Sequence, residues 1–222
     1  MSAVHLTVSG GMAELRLDNP AKLNALTLAM LGDLARHLDA LERDSSLRGV
    51  ILCATGEKAF CTGADINAWG DLSPADFARD WVRGGHRLFD RLARLQVPTI
   101  AVLQGHCFGG GLELAAACDL RVMAPAATLA LPETGVGIVP GWSGTQRLRR
   151  LMPEAVVKEM ALFGRRLTAE RAHAPGLRGR GHRHPPCRRR CHRRPAGHHQ
   201  PARDRGGEIH DPCRCGRRCP RR

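Results

Sequence analysis

The sequence predicts an α/β fold, and three features carry the prediction. Short apolar runs of strand type, such as Val50-Ile-Leu-Cys-Ala54 and Thr99 to Leu103, alternate with stretches in which leucines recur at helical spacing. Several of these runs are apolar throughout rather than alternating with polar residues, as expected of strands buried on both faces. The charge is also unevenly divided. Residues 1–173 are close to neutral, as a folded body should be, while residues 174–222 carry almost all of the formal +13.

The elements follow in order. Val4, Leu6 and Val8 alternate with polar partners, Gly10-Gly11 turns the chain, and Ala13, Leu15 and Leu17 alternate again, which is a hairpin ended by Asn19-Pro20. Leu28, Leu31, Leu34, Leu38 and Leu41 make an amphipathic helix from about Thr27 to Leu41. Val50 to Ala54 is a strand closed by Thr55-Gly56. Ser73-Pro74 opens a second helix, with serine as cap and proline in the first turn; Phe77, Trp81, Leu88, Leu92 and Leu95 extend it to about Gln96, and Val97-Pro98 ends it. After the strand Thr99 to Leu103, Gly109-Gly110-Gly111 introduces a short helical run through Leu112 and Leu114 to Cys118. Asp119 to Ala124 and Thr128 to Leu131 read as strands, Thr145 to Leu151 and Glu154 to Phe163 as helices. No internal repeat is present.

Residues 174–222 contain 15 arginines, no lysine and three acidic residues, with seven Pro, seven Gly, five Cys and six His. Leu177 and Ile209 are their only large aliphatic side chains. Two such side chains build no core, so this segment is expected to be disordered and residues 1–173 to be the folding unit. No apolar run reaches the length of a membrane span, and the N-terminus lacks the pattern of a secretory signal. The body therefore reads as cytoplasmic. Cys53, Cys61, Cys107 and Cys118 lie in apolar sequence without metal-like or paired spacing, as reduced core thiols do.

The chemistry concentrates in two glutamates twenty positions apart, Glu113 and Glu133, each set in an apolar, glycine-punctuated run. A poorly solvated carboxyl has its pKa raised toward the range in which it both takes and gives a proton. Glu113 stands between Leu112 and Leu114, where an unpaired carboxylate costs several kcal/mol and needs either a partner or a task. The glycines before it open a helix whose first N–H groups face outward, a place for an anionic oxygen. Glycines in that position also serve close packing, so the turn alone defines no site. Neither a phosphate loop nor a dinucleotide fingerprint fits, since no Gly-Lys-Ser/Thr and no Gly-x-Gly-x-x-Gly spacing is present. Cys61-Thr62 and Ser143 invite a nucleophile assignment, but the sequence places no histidine beside them; His106, the nearest in sequence, reads as a packed or solvated side chain.

Together, Lys22-Leu-Asn-Ala-Leu26, Lys58-Ala-Phe-Cys-Thr-Gly-Ala-Asp-Ile66, Val97-Pro-Thr-Ile-Ala-Val102, Gly105-His-Cys-Phe-Gly-Gly-Gly-Leu-Glu-Leu114, Cys118-Asp-Leu-Arg121 and Leu131-Pro-Glu133 through Gly144-Thr-Gln-Arg-Leu148 resemble the enoyl-CoA hydratase/isomerase (crotonase) family. The resemblance covers residues 1 to about 172 in the family's order. It implies a spiral of β-β-α turns, extra C-terminal helices that mediate trimer or hexamer assembly, and an acyl-CoA thioester substrate. It also implies catalytic carboxylates at Glu113 and Glu133, oxyanion-hole amides at Ala64 and Gly110, and Gly141 beside the reacting water. Coenzyme A would be held near Lys22, Leu23 and Lys58. The expected reaction is syn addition of water across the C2–C3 double bond of a 2-enoyl-CoA, with no metal and no cofactor beyond the coenzyme A of the substrate. Isomerisation or thioester hydrolysis are the alternatives within the family. Trp142 either narrows the acyl pocket or packs on a neighbouring helix.

The basic tail supports a different class of function, nucleic-acid binding through counterion release. Cys187, Cys191 and His192, with Cys213, Cys215 and Cys219, even offer zinc ligands, but their spacing is that of no known finger and no aromatic is interleaved for base stacking. Up to Leu167-Thr-Ala-Glu-Arg-Ala172 the chain follows the family; beyond it periodicity and lysine vanish together, as when a GC-rich coding sequence is read out of frame. The expectation is that the family's C-terminal helical region is lost and replaced by this tail. Apolar surface on residues 145–165 is then expected to be exposed, with poor solubility or impaired activity as the result.

Overall fold

The computed structural model describes residues 2–69 and 72–173 of the 222-residue chain. The expectations for residues 174–222, namely a disordered basic tail in place of C-terminal helices, zinc ligation and nucleic-acid binding, lie outside the described residues.

The predicted hairpin forms from β1 (Ala3–Ser9) and β2 (Met12–Asp18), with Gly10 and Gly11 at positive φ in the turn. Parallel strands β3 (Gly49–Ala54), β5 (Thr99–Leu103) and β7 (Leu120–Met123) continue the sheet in the order β1-β2-β3-β5-β7. Its register aligns Leu15 with Leu52 and Leu52 with Ala101, all three fully buried. The α/β class is therefore as predicted, but buried positions alternate with half-buried or exposed ones along these strands, so one face of the sheet is only partly covered. Helix α1 (Leu28–Arg43) is capped by the Thr27 hydroxyl and buries Met30, Leu31, Leu34, Leu38 and Leu41. It packs on β1 and on the later helix Gly84–Leu92.

A second sheet, with the order β4-β6-β8-β9, was not legible in the sequence as a unit. Strands β4 (Ala59–Cys61), β6 (His106–Phe108) and β8 (Thr128–Ala130) are three residues each and parallel, and the two-residue β9 (Leu167–Thr168) closes the edge antiparallel to β8. Strands that short carry no usable periodicity, and only β8 lay within a predicted strand. The short α7 (Ala169–His173) was likewise not predicted. Helices α4 (Gly110–Ala117), α5 (Gly144–Leu148) and α6 (Glu154–Phe163) stand where the sequence placed them. The cysteines are in no disulfide, as expected: Cys61, Cys107 and Cys118 are buried, Cys53 is half-buried, and burial pushes Cys61 and Cys118 up to about 12.

The second predicted helix is interrupted. After the single turn α2 (Pro74–Asp76), capped by the Ser73 hydroxyl, comes a π-helical stretch, Phe77–Arg83, before α3 (Gly84–Leu92). The wider π turn presents the Trp81 carbonyl to the Trp142 indole nitrogen at 3.0 Å. Trp142 is 3% exposed and its ring lies 4.9 Å from both Trp81, at a tilt, and Phe89, edge to face, so of the two readings offered for it the packing one holds. Trp69 extends the cluster beside Trp81 and Phe77. A methyl group on Gly85 would meet the Trp142 ring, which its indole hydrogen bond keeps from retreating. Gly85→Ala should therefore cost about 1–3 kcal/mol of stability through overpacking. Urea denaturation followed by circular dichroism measures this, and an unchanged midpoint would contradict the close approach.

Candidate active site

A glycine turn follows the second sheet's strand β6. Strand β6 runs into Gly109, whose φ of +51 and ψ of −128 suit a residue without a Cβ. Its N–H donates to the Ala130 carbonyl and its own carbonyl accepts from the Glu113 amide, both at 3.0 Å. Helix α4 starts at the next residue and is buried along its whole length, which carries Glu113 into the interior at 2% exposure.

Glu113 is not left without partners. Its Oε1 accepts the backbone N–H of Trp142 at 2.8 Å and of Gly144 at 2.7 Å. Burial raises its pKa, while the amides of Gly144 and Trp142, the Arg147 guanidinium and the Gly141 amide pull it back. Glu133 begins a 3₁₀ turn, Glu133–Val136, and is 7% exposed, with no hydrogen-bond partner on Oε2. Burial pushes it up to about 7; its own amide opposes this, and the nearby charge of Glu113 adds to it. The Glu133 carboxyl lies against the Gly109 turn, where a Cβ built on Gly109 would sit 3.0 Å from its Oε1, while the Glu113 carboxyl lies against Gly144.

The segments that carry Ala64 and Gly110 touch. Gly63, at φ +100, lies so close that its missing Cβ would be 3.3 Å from the Gly110 nitrogen. Ala64 forms a parallel bridge with Leu26 in which the groups of Leu26 bond the Gly63 carbonyl and the Asp65 amide. The Ala64 N–H therefore points to the other side, and among the described residues it meets no acceptor. Gly110 is the first residue of α4, so its N–H lacks an intrahelical partner.

Lys22 and Leu23 stand beside this turn. The Leu23 backbone is left-handed, φ 53, and its carbonyl accepts the Thr62 amide at 3.2 Å, while Lys22 Nζ pairs with Asp65 Oδ2 at 2.7 Å. That ion pair holds the Asp65 carboxyl below its usual range. Asn24, 1% exposed, ties the segment down by donating to the Thr55 and Ala59 carbonyls. Lys58 precedes Ala59 with its side chain exposed and its carbonyl bonded to the His106 amide. Gly141 is exposed and borders a groove of about 360 Å³ lined also by Arg79, Val82, Arg83, His86 and Arg87. Neither glutamate lines that groove.

Sequence reasoning missed three things. The amides of Trp142 and Gly144 were not recognised as the partners of Glu113, although glycines opening a helix were the available signal. His86 was not placed near Ser143, yet its Nδ1 is 3.0 Å from the Ser143 hydroxyl, from 57 positions away. Arg147 was quoted only as part of a motif; it donates to the Trp142 carbonyl at 2.6 Å and pairs with Asp90. The nucleophile readings gain nothing at Cys61, whose thiol is buried and pushed up to about 12. His106 bonds Thr128 at 2.8 Å and stacks on Phe108, a packed histidine as read. Among the described residues no cluster of His, Cys, Asp or Glu could hold a metal ion, and no helix is long and apolar enough to cross a membrane.

Two buried carboxyls in unlike environments can take and give protons, and the nearby amides of Ala64 and Gly110, which no helix or bridge bond occupies, can hold an oxygen that gains negative charge. The chain belongs to the enoyl-CoA hydratase/isomerase family, whose sequence pattern it matches over residues 7–179. It is 46% identical over 166 residues to the Bacillus subtilis enoyl-CoA hydratase/isomerase YngF, covering 75% of this chain and 64% of that protein. It is 35% identical over 177 residues to a short-chain-enoyl-CoA hydratase of Clostridium acetobutylicum, covering 80% and 67%. The crystal structure of an enoyl-CoA hydratase from Bacillus anthracis superposes with a TM-score of 0.75 at 35% identity, covering 79% of this chain and 68% of that one. The chain thus spans less than two thirds of the length of YngF.

Proposed function

We propose that the protein adds water in syn fashion across the C2–C3 double bond of a 2-enoyl-CoA. The supporting observation is the contrast between the two carboxyls. Glu113, bonded by two amides and near Arg147, is the one favoured to be ionised at neutral pH. Glu133, with one oxygen unpaired and its pKa near 7, is the one that still carries a proton. Glu113 takes a proton from the attacking water and Glu133 delivers one to C2. The N–H groups of Ala64 and Gly110 hold the thioester oxygen as it gains charge, each worth roughly 3–4 kcal/mol in comparable sites. Lys22, Leu23 and Lys58 hold the coenzyme A portion, and Gly141 borders the water. Proton transfer and amide stabilisation suffice for this step, so no metal or redox cofactor is assigned. Isomerisation needs only one shuttling carboxyl and hydrolysis needs an activated water at the thioester carbonyl; neither calls for two carboxyls set apart in this way.

The test is to give the full-length chain crotonyl-CoA, a 3-enoyl-CoA and a saturated acyl-CoA in parallel. Loss of the conjugated absorbance of the first is the expected result; turnover confined to the second or third would replace hydratase by isomerase or hydrolase. The pH profile is a separate check. Rate should rise as Glu113 ionises, above the ordinary carboxyl range, and fall through about 7 as Glu133 loses its proton. A profile flat from pH 5 to 9 would remove both roles.

For assembly we take the family's homotrimer or hexamer. Val136, Val139, Leu162 and Phe163 are 61%, 75%, 60% and 80% exposed, an apolar surface suited to a second copy or to aggregation. Light scattering on the same preparation distinguishes a defined oligomer from polydisperse material. The cytoplasm is the proposed location, in keeping with reduced thiols at Cys53, Cys61, Cys107 and Cys118.

A further inference from the structure

Ser143 occupies a position that a side-chain-bearing residue enters at a cost. Its φ of 68 and ψ of 22 are left-handed, and it stands between Trp142 and Gly144, the two backbone partners of Glu113. The hydroxyl gives a reason for its presence. Ser143 Oγ bonds His86 Nδ1 at 3.0 Å, and His86 Nε2 lies 3.4 Å from Asp90 Oδ2, one turn further along α3. The other oxygen of Asp90 pairs with Arg147, whose second amino group donates to the Trp142 carbonyl at 2.6 Å. These contacts close a ring around Trp142-Ser143-Gly144. The outward-facing groups of that segment, the Trp142 carbonyl and the Ser143 hydroxyl, are anchored to α3 and α5. Its inward-facing groups, the Trp142 and Gly144 amides, hold Glu113.

We propose that Ser143, His86, Asp90 and Arg147 are positioning residues that fix the two amides on Glu113, and so set the rate of the proton transfer assigned to it; this rests on the hydratase reading above. None of the four bonds the Glu113 carboxyl; Ser143, His86 and Asp90 act through the backbone of residues 142–144, and Arg147 adds the direct pull of its charge on Glu113 to that path. A displacement of that backbone by a fraction of an ångström would lengthen both bonds to Glu113 at once and turn its carboxylate away from the water. The Asp90 carboxylate favours the His86 tautomer with its hydrogen on Nε2, leaving Nδ1 to accept the serine proton.

The test uses Ser143→Gly and His86→Ala in the full-length chain. Glycine suits the left-handed backbone, so Ser143→Gly should fold with an unchanged or raised denaturation midpoint while losing the anchor. Each variant is expected to lower kcat for crotonyl-CoA roughly tenfold at unchanged KM. The double variant should be no slower than the slower single, because both cut one path. His86→Gln, whose side-chain carbonyl can still accept the hydroxyl proton, should recover most of the rate. A readout independent of turnover is the ¹³C titration of the Glu113 carboxyl, identified by its absence in Glu113→Gln; it should move upward in Ser143→Gly as the amide bonds loosen. A moved titration in a protein that does not hydrate crotonyl-CoA would keep the ring and discard the hydratase reading. Active protein in which neither kcat nor the titration responds, or in which the losses add in the double variant, would overturn the ring.

Discussion

Glu113→Gln is expected to lower kcat for crotonyl-CoA hydration by roughly 10³-fold, the scale of a lost general base. The substitution is nearly isosteric, and the amide oxygen of glutamine can keep the bonds from Trp142 and Gly144. What it cannot do is accept the proton of the attacking water. The loss should therefore fall on kcat, with KM changed little, since Glu113 is proposed to act on the water and not to grip coenzyme A. Burial already raises the pKa of Glu113, so removing its charge should leave stability the same or slightly higher. Steady-state kinetics beside a denaturation curve decide the matter. A folded Glu113→Gln protein that retains turnover would exclude Glu113 as the base.

Glu133→Gln is expected to separate activity from stability, lowering the first about 10²-fold or more and raising the second at neutral and alkaline pH. The sign follows from proton binding. In the unfolded chain Glu133 titrates near its ordinary value of 4.5, and in the folded chain near 7. Between these values the folded state holds the proton more tightly, so stability falls as pH rises, and above about 7 the full cost of the buried charge is felt. Glutamine bears no such charge. Its advantage should be small at pH 5 and reach about 1–3 kcal/mol at pH 8, after allowance for the partial access of solvent to this side chain. The unpaired Oε2 of Glu133 leaves an unpaired polar atom in the variant too, but that contribution is common to both pH values and cancels in their difference. Equal stabilisation at pH 5 and pH 8 would show that Glu133 does not titrate near neutrality.

The larger sheet and the two glutamates were legible in the sequence for physical reasons. Val50 to Ala54 and Thr99 to Leu103 are long enough, and apolar enough, to declare buried strands. A carboxylate between two leucines declares a desolvated group at Glu113 whatever the fold. The second sheet was hidden because β4 and β6 are three residues each and lie in segments whose glycines drew attention instead. The π-helical stretch was hidden because Phe77 and Trp81 fit an α-helical spacing equally well. The cradle of Glu113 was hidden for a different reason: it is made of backbone amides and of a contact from His86 to Ser143, and neither backbone donors nor pairs 57 positions apart leave a mark in composition or periodicity. The placement of Ala64, Gly110, Lys22 and Leu23 around one turn was available only through the family resemblance.

The aromatic ladder gives the molecule an optical property. The chain has three tryptophans and no tyrosine, and Trp69, Trp81 and Trp142 stand within 5.5 Å of one another in sequence along one stack. The backbone nitrogen of the last belongs to the cradle of Glu113. Intrinsic ultraviolet emission therefore arises from one cluster abutting the Glu113 carboxyl, without tryptophan background from elsewhere in the chain. Thioester docking, or protonation of the neighbouring carboxyls, becomes visible as a spectral change in unlabelled protein.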